Sequence, residues 1–147
     1  MGNFKLTSSA FSDGGEIPRK CGYKNGNDPP SLTISGKPEG TESLALIMDD
    51  PDAMGAVGKV WVHWVAWNID PTKTELELAK STEGMTDFGE VGYGGPAPPD
   101  KMHTYVFKLY ALDSELNLPG ESTKADVEKA MEGHIIEQTQ LTGTYAP

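Results

Sequence analysis

Short apolar runs, each closed off by Gly, Pro, Asn or Asp, recur along the chain and set its fold class. Five of them, at residues 4–8, 31–35, 43–48, 59–69 and 104–112, are short and rich in β-branched or aromatic side chains, and are predicted as strands. The run Leu44-Ala45-Leu46-Ile47-Met48 is apolar at every position, as expected of a central strand covered on both faces. Over 59–69 a period of two puts Trp61, His63, Val65 and Trp67 on one face and Val60, Val62, Trp64 and Ala66 on the other. The strand that follows His103 sets His103, Tyr105, Phe107 and Leu109 against Val106, Lys108 and Tyr110.

Helical spacing is clear in one place. Val127, Ala130 and Met131 follow Thr123, whose hydroxyl can cap the amide of Asp126, and Gly133 is a stop signal. The segment 134–145 lacks a cap and is read as a final strand, with a continued helix as the alternative. Segments 25–30 and 84–99 are loops within a domain rather than linkers. Residues 1–147 are therefore expected to form a single, mainly β domain, able to bury roughly 70% of the surface of its unfolded chain.

Charge narrows the partners. With 12 Lys and Arg against 22 Asp and Glu the formal charge is −10, and no basic run interrupts it, so nucleic acid and anionic membrane surfaces are poor partners. The single cysteine, Cys21, allows no internal disulfide. The N-terminal residues lack a signal-peptide core, and no segment approaches the ~18 apolar residues of a membrane span. A cytoplasmic location is expected.

Candidate chemistry gathers around His63 and His103, two of the three histidines. A lone histidine in an apolar strand is ordinarily a core residue satisfied by backbone, but these two accompany a carboxylate cluster, Asp49-Asp50-Pro51-Asp52, where Pro51 turns the chain out of the sheet. One carboxylate turned back into a cleft would favour the protonated form of a histidine, which could then bind an anion. The segment Gly92-Tyr93-Gly94-Gly95-Pro96-Ala97-Pro98-Pro99 is too rich in Gly and Pro for a regular element, and its glycines would let backbone amides converge on an anion. It matches neither the P-loop nor the dinucleotide fingerprint. Two other readings use the same residues. A hydrolase would employ Asp50 and His63 as an acid–base pair, yet no nucleophile elbow and no motif Ser or Cys supports it. A metal site of Asp50, His63 and His103 lacks closely spaced paired ligands. The expectation is a non-enzymatic binding protein without metal or cofactor.

These residues resemble the phosphatidylethanolamine-binding protein family, in its bacterial and archaeal Raf-kinase-inhibitor-like branch. The likeness runs through Asn27-Asp28-Pro29-Pro30, Pro38-Glu39-Gly40-Thr41-Glu42, Asp50-Pro51-Asp52-Ala53 and Trp61-Val62-His63-Trp64. It continues through Asp87-Phe88-Gly89, Gly92-Tyr93-Gly94-Gly95-Pro96, His103, Tyr105 and Phe107-Lys108-Leu109-Tyr110 to Met131-Glu132-Gly133-His134. The resemblance implies an antiparallel β-sandwich-like core with a few short peripheral helices, and a pocket for phosphate-like anions or phospholipid head groups. Within it Asp50 and His63 would form the floor, Gly94, Gly95 and the adjoining Pro96 the wall, and His103 the opposite rim, flanked by Asp52, Trp61 and Tyr105. It also implies a possible role in regulating a kinase or protease, and is compatible with a homodimer. The chain departs from the family pattern at Met54, at Ala97 where Cys is frequent, and at Thr104 where Arg is expected.

Overall fold

The computed structural model describes residues 3–147. In chain order its regular elements are β1 (Lys5–Thr7), β2 (Gly15–Glu16), β3 (Thr33–Ser35), β4 (Ser43–Asp50), α1 (Ala53–Val57), β5 (Trp61–Ile69), β6 (Thr82–Glu83), β7 (His103–Leu112), α2 (Lys124–Met131) and β8 (Ile135–Tyr145). Two short 3₁₀ turns, Arg19–Cys21 and Leu78–Lys80, complete them. All five predicted strands are present, and the tail is the strand β8. The elements not anticipated, β2, β6 and α1, are two to five residues long. Such lengths are too short to establish a period.

The core is an open, mixed six-stranded sheet in the order β2-β8-β7-β4-β5-β6. Its pairs are antiparallel except β2 with β8, which is parallel, so the expected antiparallel sandwich is realised only approximately. A separate β1–β3 ribbon contributes Leu6 and Ile34 to the apolar cluster on one face, with Leu44, Leu46, Met48, Phe107 and Leu109. On the other face Ala45, Ile47, Val65 and Trp67 meet Val127 and Met131 of α2. All eight residues of β4 are buried, as the apolar run from Leu44 to Met48 requires of a strand covered twice, and Ser43, Asp49 and Asp50 are buried with it. Thr123 caps α2 through a reciprocal pair of bonds with Asp126, and Gly133 takes the left-handed conformation just beyond it.

Strict alternation along β5 does not hold. Met48 pairs with Trp64 and Asp49 with Val62, so one step on β4 spans two on β5, and His63 is the extra residue of a β-bulge. His63 consequently lies against Tyr105, in the same cluster as Trp64, whereas Val65 and Trp67 turn to the α2 face. The predicted grouping of His63 with Val65 and Trp67 is corrected accordingly. A second register shift, between Leu44 and Leu46, falls where Asn68 adopts φ +55° and its side chain ties down Leu116.

A candidate anion pocket at the end of β4

Alternation at the end of β4 sends its two aspartates to opposite faces. Asp49 accepts from Lys108 Nζ at 3.3 Å and Lys124 Nζ at 2.9 Å on the α2 side. Asp50 faces the other way, accepting from His103 Nδ1 at 2.6 Å through Oδ2 and from the Asp52 N–H at 3.0 Å through Oδ1. The Nε2 of His103 meets Asp100 Oδ1 at 2.7 Å. With both ring nitrogens against carboxylates, His103 is an imidazolium donating twice. Burial opposes its charge, but the bonds and charges of Asp50 and Asp100 outweigh that, and its pKa is raised.

His63 is a different histidine. Its Nδ1 lies 2.7 Å from the Gly94 carbonyl, and the Gly94 N–H donates back to the His63 carbonyl at 2.8 Å. A carbonyl can only accept, so Nδ1 carries the proton, and the neutral ring keeps a lone pair on Nε2. Burial is the largest influence on this ring and lowers its pKa, despite the Gly94 bond and the charge of Asp50. Tyr105 and Phe88 hold it edge-on, with centroids 5.1 and 5.3 Å away.

A cavity of about 130 Å³ opens between these groups. Its polar lining is Asp50, His63, His103 and Tyr105, and Trp61, Phe88, three α1 residues (Ala53, Ala56, Val57), Ala97 and Pro99 complete the wall. It is smaller than the roughly 300–1,000 Å³ of sites for drug-sized ligands. The indole nitrogens of Trp61 and Trp67 are buried without a hydrogen-bond partner among the described residues, and the buried Tyr105 hydroxyl lies against Asp50 and the Ala97 backbone without a well-formed bond to either. Burial first, and the Asp50 charge next, push the Tyr105 pKa up, so the hydroxyl keeps its proton and is a donor.

Of the residues expected from the sequence, Asp50, Trp61, His63, His103 and Tyr105 meet at this cavity, while Asp52, Gly94, Gly95 and Pro96 are not part of its lining. Asp52 Oδ2 accepts the Thr104 N–H at 2.8 Å and so ties the turn before α1 to β7. The anticipated amide wall is not formed, because the Gly94 N–H is used by His63 and the Gly95 N–H donates to Asn27 Oδ1 at 2.7 Å. Glycine is required there for room: a Cβ on Gly94 would collide with the Phe88 ring, and one on Gly95 with the Cys21 carbonyl. Pro96 accepts the Tyr23 N–H at 2.9 Å and borders a neighbouring groove with Arg19 and Lys24. The histidine that pairs with the carboxylate is His103, and both its nitrogens are engaged.

Sequence reasoning missed Asp100, whose only signal was its place three residues before His103, and the walls supplied by Phe88 and α1. Met54 is exposed on α1, whereas Ala97 lines the cavity. The Asp50–His63 acid–base pair is not made, because Asp50 bonds His103 and His63 bonds Gly94. No Ser, Thr or Cys is among the lining residues, and burial pushes the Cys21 thiol pKa up. Among the described residues no group of three or more His, Cys, Asp or Glu is arranged to hold a metal ion, and no helix is long and apolar enough to cross a membrane.

The family model for phosphatidylethanolamine-binding protein matches residues 7–146. The chain belongs to the phosphatidylethanolamine-binding protein family. A UPF0098 protein of Methanothermobacter thermautotrophicus is 44% identical over 95% of this chain and 97% of its own length. Another, from Chlamydia trachomatis, is 40% identical over 96% and 97%. Among solved structures, a phosphatidylethanolamine-binding protein homologue from Chlamydia trachomatis superposes with a TM-score of 0.91 at 37% identity, covering 99% of this chain and 98% of that one. YbcL of E. coli, described as a member of the mammalian family, gives 0.88 at 32% identity over 98% of each chain. None of these names is that of an enzyme.

Proposed function

We propose that this protein is a non-catalytic binding protein whose cavity beside Asp50 takes a small oxyanion of the phosphate class. The observation that carries the reading is a cavity of about 130 Å³ at which Asp50 of β4, His63 of β5, and His103 and Tyr105 of β7 converge. The same cavity offers His63 Nε2 as an acceptor, and its lining holds no Ser, Thr or Cys. Membership of a family named for binding a phosphate-containing lipid supports the choice of ligand class.

Calorimetric titration with phosphate tests the reading. Wild type should release or absorb heat with a saturable isotherm at millimolar phosphate, and His63→Ala and Tyr105→Phe should each weaken binding about tenfold or more. Absence of saturable heat for wild type would remove the proposal, as would full retention of affinity in both variants.

A further inference from the structure

The segment 97–102, between the Gly/Pro loop and β7, supplies Ala97 and Pro99 to the cavity wall. It is fastened at both ends: the Pro96 carbonyl accepts the Tyr23 N–H at 2.9 Å, and the Thr104 N–H donates to Asp52 at 2.8 Å. Between these points, among the described residues, no backbone N–H or C=O of 97–102 makes a well-formed hydrogen bond to the rest of the chain. Pro98 and Pro99 have no N–H to offer. Pro98 alone of the six residues is buried, and Lys101 and Met102 stand in solvent. Among the described residues a single side-chain bond ties down the middle of the segment, from His103 Nε2 to Asp100 Oδ1 at 2.7 Å.

That bond exists only while the ring carries its second proton. As an imidazolium, His103 donates from Nδ1 to Asp50 and from Nε2 to Asp100; as a neutral imidazole it has one N–H and one lone pair. The two carboxylates then compete for one proton, and their surroundings decide the outcome. The Asp50 side chain is 4% exposed and cannot be rehydrated, whereas that of Asp100 is 43% exposed and can turn to water. The remaining proton therefore stays on Nδ1, the Nε2 lone pair faces the Asp100 carboxylate, and the contact becomes repulsive. The other titratable groups around the ring do not touch its nitrogens: Asp52 in the turn before α1, Tyr105 on β7, Tyr145 opposite on β8, and His63, which also packs on Tyr105. Among the described residues no Lys or Arg pairs with Asp50 or Asp100, so the imidazolium alone neutralises them. We infer that residues 97–102 form a strap along the cavity, latched by Asp100 while His103 is an imidazolium and released when that ring loses its Nε2 proton. Release frees Pro99 and opens the cavity wall, whatever the cavity holds. Burial opposes the charge on His103, but the bonds and charges of Asp50 and Asp100 raise its pKa, so the strap is closed at low pH and opens above the ordinary histidine value of about 6.5.

Backbone amide relaxation by NMR on the protein without added ligand tests the latch, at one pH on each side of the His103 transition, which the ring shifts report in the same samples. Below the transition the amides of Asp100, Lys101 and Met102 should have order parameters near the rigid value of about 0.85, and above it they should fall below about 0.6. Asp100→Ala removes the latch and should leave the strap mobile at both pH values. Asp100→Asn separates charge from mere contact: its carbonyl accepts from the imidazolium and its amide donates to the neutral ring, so its strap should stay ordered on both sides. Wild-type order parameters that do not change across the transition would overturn the inference, as would an Asp100→Ala strap as rigid as wild type. So would an Asp100→Asn strap that loosens with pH like wild type, or a His103 that keeps one charge state throughout the folded range. With no ligand in the sample, each of these outcomes is separate from the fate of the oxyanion reading.

Discussion

Asp49 and Asp50 are adjacent in β4 and almost equally buried, at 2% and 3% exposure, yet their surroundings have opposite character. Asp49 is closed: two lysines, from β7 and α2, cover it, and the apolar cluster of the α2 face packs alongside. Asp50 stands in an open arrangement, sharing one histidine with Asp100 beside a cavity of about 130 Å³. A buried charge whose partners are complete serves the fold, whereas polar groups that border a cavity are available to a ligand. The pleat of one strand separates the two roles by a single residue.

The strongest way to break the contrast is to strand Asp49. The double variant Lys108→Met, Lys124→Met leaves a buried carboxylate without its ion pairs and should lower stability by about 3–5 kcal/mol in denaturant melts, without altering phosphate affinity. Tyr105→Phe should act in reverse. Removing a buried hydroxyl whose contacts with Asp50 and the Ala97 backbone fall short of well-formed bonds should change stability by less than about 1 kcal/mol, while phosphate affinity falls. A clearly less stable Tyr105→Phe would show that the hydroxyl is already satisfied in the free protein. On the closed face, Thr123→Ala should cost about 1 kcal/mol through loss of the α2 cap and leave binding untouched.

Smallest in energy, but sharpest in distinguishing the two histidines, is their titration by NMR. His103 should titrate above the ordinary value of about 6.5 and His63 below it. Linkage then gives opposite signs. The contribution of His103 to stability is complete below about pH 6.5 and is lost as the pH rises through its higher folded pKa. For His63, folding is instead penalised as the pH falls from about 6.5 through its lowered folded pKa. Coincident titrations would remove the contrast between a doubly bonded imidazolium and a neutral acceptor.

Much of this arrangement was legible in the sequence because burial and alternation leave a direct imprint. The unbroken run Leu44-Ala45-Leu46-Ile47-Met48 marked the central strand, and Thr123 with Asp126 marked the start of α2. His63 was located but placed on the wrong face of β5 from Val65 and Trp67, because a bulge adds one residue to the count and carries no compositional mark. The family pattern brought Gly94 and Gly95 to attention. Their amides point to different partners because the loop closes on His63 and Asn27, a tertiary fact that local sequence does not encode. Asp100 was invisible for a related reason: its meaning depends on the ring orientation of His103.

The central claim, that the Asp50 side of β4 is the binding face, is tested most directly by following the three histidine side chains by NMR during a phosphate titration. His63 should shift in a saturable way, while the exposed His134, paired with Asp113 at 2.8 Å, should not move. A stationary His63 at millimolar phosphate, or shifts of equal size at His134, would contradict the account.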